Sequence, residues 1–191
     1  MGKRTWGTVS LAAGGTPQPV FGTTTTAAVS ANAALGGNSF LLAVTAFPLV
    51  AGFTGFQNGD NIIVEAGGTN PERFLIQQVV SSTSLKLRKE DGSGIQFAHA
   101  SGVFVQLAIP CISVFIQCIE GNTALIYIGN TASMVKATRV GVIATLEFTA
   151  SGTQPFNFAD PMYGSTPGLT SDSYWFDGTT GDKILPSLTL L

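Results

Sequence analysis

His99 is the only histidine of the chain, so a catalytic triad built on an imidazole would have to use it. Ser93 and Ser101 lie close to it in sequence and could supply the hydroxyl. However, the chain has no G-x-S-x-G nucleophile elbow, the sharp turn that exposes a catalytic serine. A lone histidine beside Ser-Gly is more typical of a turn residue whose ring bonds local backbone. We therefore predict no catalytic residue.

The two cysteines do not complete a zinc site with His99. If residues 111–119 form one strand, Cys111 and Cys118 lie about 23 Å apart along it, at about 3.3 Å per residue. That distance also excludes a disulfide, and the odd separation directs the two thiols to opposite faces. We expect two free, mostly buried thiols, as in a protein made in a reducing cytoplasm.

Clustered carboxylates would favour calcium, and three aspartates recur every five residues near the end of the chain: Asp172, Asp177 and Asp182. This spacing does not match the EF-hand loop, and Asp-Gly and Gly-Asp steps are ordinary in hairpin turns. No spacing singles out a carboxylate pair for glycoside hydrolysis, and Gly67-Gly68 lacks the Lys-Ser/Thr of a phosphate loop. The sequence therefore predicts no metal and no cofactor.

Aromatic residues are the best candidates for contact with another protein, because aromatics are enriched in interface cores. In the run 174–176, strand alternation directs Trp175 to the face opposite its two neighbours, so one face is expected to be core and the other available for contact. Stacking on nucleic-acid bases is not favoured without a basic groove. The predicted interface residues are Trp6, Phe21, Phe156, Phe158, Tyr174, Trp175 and Phe176.

Charge is scarce along the whole chain. Of 191 residues, 45% are hydrophobic and only 10% are charged, with a formal net charge of −2. Such a balance attracts neither nucleic acid nor an acidic membrane surface, and it suits a surface that is packed against other proteins. A monomer with a Thr/Ser-rich β surface is the alternative. The apolar run 40–53 is too short to span a membrane, and the N-terminus matches neither a signal peptide nor a myristoylation signal.

Short alternating runs between turn residues predict an all-β fold in three parts. Residues 1–38, rich in small residues, are expected to form an extended N-terminal arm that orders on a neighbour or stays loose. Residues 39–109 are expected to form a small β-barrel or rolled-sheet module, with strands at 40–47, 61–66, 73–80, 84–89 and 103–109.

Pro110 is the expected boundary of the last part, an antiparallel β-sandwich of jelly-roll-like type over residues 110–191. Alternation over 112–118 and the run 125–128, joined across Gly121-Asn122, predict a hairpin. Further strands are expected at 140–149, 172–177 and 183–190.

The module resembles one found in structural proteins of tailed bacteriophages. The matching residues are Phe56, Gly59-Asp60 with the run to Val64, Glu72, Ser84 to Leu87, and the step Ala98 to Gly102 before Val103 and Val105. The second half is similar to small phage head proteins in Asn122-Thr123, the run Ile126 to Gly129, and Tyr174 to Gly178 with Gly181-Asp182. Together the two resemblances span about residues 53–191.

This resemblance implies a capsid decoration (cement) protein on the outer surface of the virion, made in the host bacterial cytoplasm. Its partner would be the major capsid protein, whose subunit contacts it would stabilise. Many such proteins sit on threefold axes, so a homo-oligomer, a trimer for example, is implied. Neither nucleic acid nor membrane is an expected partner.

Three other functions stay open at this point. A tail, head–tail adaptor or baseplate component would use the same small β-modules. A glycan-binding adhesin module would use the 172–182 loop and its aromatics. A hydrolase would depend on His99.

Overall fold

The computed structural model describes residues 3–31, 39–47, 55–119, 121–122, 125–149, 152–153, 156–159 and 169–190. These residues form antiparallel strands and one short 3-10 turn at Ser171–Ser173, with no α-helix among them. The all-β prediction is confirmed. Short alternating runs bounded by Gly, Asn and Asp favour strands, because they can bury one face while the turn residues reverse the chain.

The strands in chain order are β1 (Lys3–Thr5), β2 (Val9–Ser10), β3 (Gln18–Pro19), β4 (Gly22–Thr24), β5 (Phe40–Ala43), β6 (Asn61–Val64), β7 (Glu72–Ser81), β8 (Ser84–Arg88), β9 (Phe104–Leu107), β10 (Pro110–Cys118), β11 (Ile126–Gly129), β12 (Val142–Leu146), β13 (Phe148–Thr149), β14 (Gly152–Thr153), β15 (Phe156–Ala159), β16 (Leu169–Thr170), β17 (Trp175–Asp177) and β18 (Lys183–Leu190).

The chain divides into two compact units. Unit 1 contains Met1–Phe21 and Pro110–Leu191, and unit 2 contains Gly22–Ile109. The boundary predicted at Pro110 coincides with this division. The segment predicted as an arm, residues 1–38, does not form a separate part in this division. Residues 3–21 belong to unit 1 and residues 22–31 to unit 2. Residues 32–38 lie outside the described part.

The N-terminal residues are ordered by edge pairing within this same chain. β1 and β2 pair with β18, and β3 pairs with β17. Trp6 and Phe21 are fully buried, with ring centroids 5.9 Å apart and planes nearly perpendicular. Strands of two or three residues have no periodicity to detect, so the sequence pattern gave no sign of this pairing.

Unit 2 is one antiparallel sheet in the order β4-β9-β6-β7-β8-β5. The sheet is rolled, so that β4 and β5 approach each other at one end. There the Thr26 amide donates to the Ala43 carbonyl (3.0 Å) and the Thr45 amide to the Thr24 carbonyl (2.7 Å). Alternate residues point inward and are buried: Leu42, Ile62, Val64, Phe74, Ile76, Leu85, Leu87, Val105 and Leu107. The alternation of the sequence therefore located β5 to β9, whereas β4 lies in the region predicted as an arm.

Unit 1 contains two larger sheets. One has the order β1-β18-β10-β15, with β2 also on β18 and β16 also on β10, and the other has the order β12-β11-β17-β3. Side chains from both sheets are buried, including Val114, Ile116, Ile128, Phe176 and Leu188. An antiparallel two-sheet arrangement buries the inward face of each strand and leaves the other face to solvent.

The hairpin predicted between 112–118 and 125–128 is wrong. β10 pairs with β18 and β15, whereas β11 pairs with β12 and β17 in the other sheet. The Asn122 side chain explains the divergence, because it accepts from the Lys183 amide (2.7 Å) and donates to the Lys183 carbonyl (2.9 Å). These bonds hold residue 122 against the start of β18, whereas β11 belongs to the second sheet.

The prediction that the two cysteines face opposite sides is also wrong. A register shift between Cys111 and Ser113 inserts one extra residue, so Cys111 lies opposite Leu190 while Val114 lies opposite Leu188. A β-bulge of this kind reverses the parity of the positions before it. Cys111 and Cys118 therefore share the buried face of β10, and both are free thiols.

Both thiols are expected to resist modification in the folded chain. Burial, with a smaller contribution from nearby Asp172, raises the pKa of Cys111 to about 12, and burial also raises the pKa of Cys118. Since the thiolate is the reactive form, a disulfide reagent at pH 8 should label the native chain at least about tenfold more slowly than the urea-unfolded chain. Equal rates would contradict the burial.

Candidate functional site

Four ionisable residues of unit 2 come together from four separate segments. Glu65 follows β6, Glu72 begins β7, Lys89 follows β8, and His99 lies in the loop before β9. Glu65 has φ of 60°, a left-handed conformation uncommon for a residue with a side chain. Glu65 begins a tight turn in which the Gly68 amide donates a hydrogen bond to the Glu65 carbonyl. This turn leads directly to β7.

His99 is held between two carboxylates. Its Nδ1 lies 2.9 Å from Glu65 Oε2, and its Nε2 lies 2.9 Å from Glu72 Oε2. The residue is 2% exposed, and its backbone pairs in both directions with Val29 at 2.8 and 2.9 Å. The predicted role, a ring bonded to local backbone, is therefore wrong: the ring bonds two side chains, 34 and 27 residues away in sequence.

Glu72 is the centre of the network. Its Oε1 contacts Lys89 Nζ at 2.5 Å and accepts from the Gln96 amide at 3.0 Å, while its Oε2 accepts from the Phe97 amide at 3.0 Å. Only 3% of its side chain is exposed. One buried carboxylate thus connects the start of β7 with the end of β8 and with the loop that leads to His99.

The pKa values of both glutamates reflect this network. Burial by itself would raise the pKa of Glu72, but hydrogen bonds from Lys89, from two backbone amides and from His99 outweigh burial, so its pKa lies below the ordinary 4.5. The pKa of Glu65 is lowered chiefly by the hydrogen bond from His99, against a smaller opposing effect of burial. Both carboxyls are therefore ionised at neutral pH.

Stability is expected to fall as the solution is acidified. A carboxyl whose pKa is lower in the folded than in the unfolded chain contributes stability above its unfolded pKa and loses it as the pH falls through its folded pKa. The free energy of unfolding should therefore decrease between about pH 6 and pH 3. Urea unfolding across this range tests it: Glu72→Gln should flatten the decrease, and the exposed control Glu90→Gln should leave it unchanged. An identical pH profile for Glu72→Gln would contradict the assignment.

The network suits holding the loop better than proton transfer. Both ring nitrogens of His99 are engaged by carboxylates at 2.9 Å, so neither is left to accept a proton from a nucleophile. The Ser93 hydroxyl, one of the two considered for a triad, donates instead to Asp91 at 2.8 Å. The arrangement therefore anchors the His99 loop to β6 and β7.

The structure places most of the predicted interface residues inside unit 1. Trp6, Phe21, Tyr174, Trp175 and Phe176 are all buried, so their side chains belong to the core of this chain and do not offer contact area at its surface. Phe156 is half-buried, with its ring 6.5 Å from that of Tyr174. The side chain of Phe158 lies outside the described part.

Among the described residues, the large apolar side chains that are exposed are others, which alternation did not single out: Leu41, Val80, Phe97, Val135, Val140, Ile143 and Leu185.

Two of the three aspartates considered for calcium are engaged in turns of unit 1. Asp177 Oδ1 accepts from the amides of Gly15 (2.8 Å) and Gly178 (2.7 Å), and Asp182 Oδ2 accepts from the Thr179 amide (2.8 Å). Asp172 lies in the short 3-10 turn. Within the described ranges, no three His, Cys, Asp or Glu residues lie close enough together to hold a metal ion.

Asp177→Ala is expected to destabilise unit 1 by about 2–3 kcal/mol, because two backbone amides lose their acceptor. Lys136, whose Nζ lies 3.8 Å from Asp177 Oδ1, also loses its counter-charge. Glu147→Ala removes an exposed carboxylate from the same unit and should change stability by no more than about 0.5 kcal/mol. Thermal melts of the two variants compare them directly, and equal shifts would contradict the role of Asp177.

A cleft of about 470 Å³ lies beside the Glu72 network in unit 2. Residues of four segments line it: Asn61, Pro71 to Leu75, Lys89 to Asp91, and Gln96 with Phe97. The Lys89 ammonium also lies over the Phe74 ring, 5.6 Å from its centroid. The network and the cleft therefore share Glu72, Lys89 and the loop at 96–97.

No family model, no curated protein and no solved structure matches the chain. Among the residues that the structure describes, no helix is long and apolar enough to cross a membrane.

Proposed function

We propose that this chain is a structural protein of a tailed-bacteriophage virion, a decoration protein that binds the outside of the capsid and stabilises contacts between major capsid protein subunits. In this proposal it is made in the bacterial cytoplasm, binds as a homo-oligomer such as a trimer, and has a jelly-roll-like second domain. It needs no catalysis, cofactor, nucleic acid or membrane.

The observation that carries the proposal is what the resembling residues do in unit 2. Asp60 accepts from the Gln57 amide, Glu72 and His99 join three segments, and Gly102 has φ of 86°, which favours glycine. The residues that carry the similarity to phage structural proteins are therefore those that shape this module. This supports a shared building block over a shared active site.

The surface gives a second support. Val135 and Val140 form an isolated bridge and are both exposed, as is Ile143 on β12, the strand at the end of its sheet order. Exposed aliphatic side chains at a sheet edge, on a chain with so few charges, suit burial against a partner protein.

Sedimentation with phage particles tests the proposal. Purified chain is mixed with emptied, expanded capsids of the phage that encodes it, and separately with its tail tubes. Saturable binding to capsids is the expected result, and Val140→Asp with Ile143→Asp should weaken it. The control variant, Leu41→Asp with Val80→Asp, places the same two charges on unit 2. It shows whether the loss of capsid binding is specific to the surface around Val140 and Ile143. Binding to tail tubes alone would support the tail or adaptor alternative instead.

A further inference from the structure

The backbone of residues 96 and 97 is held by a buried carboxylate, which is costly to remove from water. Glu72 is a buried carboxylate, and it accepts from the amides of both Gln96 and Phe97 at 3.0 Å. The cost of taking charges out of water can exceed the attraction between them, so a buried ionic network is weak evidence for stability alone. The residues that the network holds in place are therefore more informative about function than its contribution to stability.

It positions an exposed aromatic side chain. Phe97 is 42% exposed, although its backbone is held by a buried carboxylate. Phe97 and the exposed Gln96 line the cleft together with the Glu72–Lys89 pair. An aromatic residue whose backbone is already held beside a cleft has less conformational freedom to lose on binding.

The lining indicates the class of ligand. Its charged side chains are three carboxylates and two cations, Glu72, Glu90, Asp91, Arg73 and Lys89, so the cleft has little net charge to attract a phosphate or a polycation. Asn61 and Gln96 add amide groups that both donate and accept. The volume of about 470 Å³ is within the range of small-ligand sites.

We propose that this cleft binds a neutral saccharide. An apolar face of a sugar ring packs on the Phe97 side chain, while the sugar hydroxyls, which both donate and accept, bond the carboxylates, the Lys89 ammonium and the amides. This site differs from the 172–182 loop, whose Tyr174, Trp175 and Phe176 are buried. It does not depend on a location in the virion.

The test uses the full chain, labelled with ¹⁵N. Neutral oligosaccharides of glucose, galactose, mannose and N-acetylglucosamine are screened on an array and the binders titrated by NMR. We expect amide shifts centred on Gln96 and Phe97, and Phe97→Ala should weaken binding by about tenfold or more. Val80→Ala, which truncates another exposed apolar side chain of unit 2 outside the cleft lining, should stay within about twofold.

Three results would overturn the proposal: no neutral oligosaccharide binds at up to about 10 mM, only sulfated or sialylated glycans bind, or binding is unaffected by Phe97→Ala. Because Phe97 is an exposed side chain, Phe97→Ala is expected to fold, and an unchanged melting temperature confirms that its loss of binding is local. Failure here leaves capsid binding untouched, since that is measured with separate particles and separate variants.

Discussion

Glu72→Ala is expected to destabilise unit 2 by about 3–5 kcal/mol, the usual cost of removing one partner from a buried ionic network. The substitution leaves His99 with one carboxylate instead of two and removes the counter-charge of Lys89. Two backbone amides, those of Gln96 and Phe97, also lose their acceptor. Since whole domains are stable by only about 5–15 kcal/mol, this is a large fraction of the total.

Urea unfolding followed by hydrogen exchange at the amides of Val29 and His99 measures the effect where it should be largest, because these two residues pair with each other. Glu90→Ala removes an exposed carboxylate of the same unit and should change stability by no more than about 0.5 kcal/mol. If Glu72→Ala and Glu90→Ala behaved alike, the network would not hold the loop.

Removal of residues 1–21 is expected to unfold unit 1. The deletion removes β1, β2 and β3 and, with them, four buried apolar residues: Trp6, Leu11, Val20 and Phe21. Truncating one buried Trp or Phe to alanine typically costs about 3–5 kcal/mol, so loss of the whole set exceeds the stability of an ordinary domain.

Trp175 reports the result, because it is buried in unit 1 and is the only tryptophan left after the deletion. Its emission in the truncated chain should be red-shifted to that of the urea-unfolded chain. Trp6→Phe keeps an aromatic group at the position and serves as the control, with native Trp175 emission. A truncated chain that kept native emission would restore the interpretation of residues 1–38 as a separate arm.

Local pattern was sufficient to locate β5 to β9 of unit 2, but not β4, which lies within the predicted arm. In Leu85-Lys86-Leu87-Arg88 the two leucines are fully buried, because residues two apart in a strand share a face. The same pattern says which face is inward but not which strand lies alongside. That is why β10 and β11, both apolar and adjacent in sequence, were wrongly paired.

The candidate site could not be predicted from the local sequence pattern, for a different reason. Glu65 and Glu72 lie 34 and 27 residues from His99 and reach it because β6 lies between β9 and β7 in the sheet. The signal was still present: a single histidine and acids in a chain with few charges. Charged side chains are almost never fully buried unless they are paired, so any of these groups that is buried must belong to a network.

The proposal that this chain decorates a capsid is tested most directly by its copy number in purified virions, measured by quantitative mass spectrometry against the major capsid protein. A protein that repeats with the shell symmetry should be present on the order of hundreds of copies per particle. Roughly a dozen copies, the number set by the symmetry of a single tail or neck, would contradict it, and so would the absence of the chain from the particle.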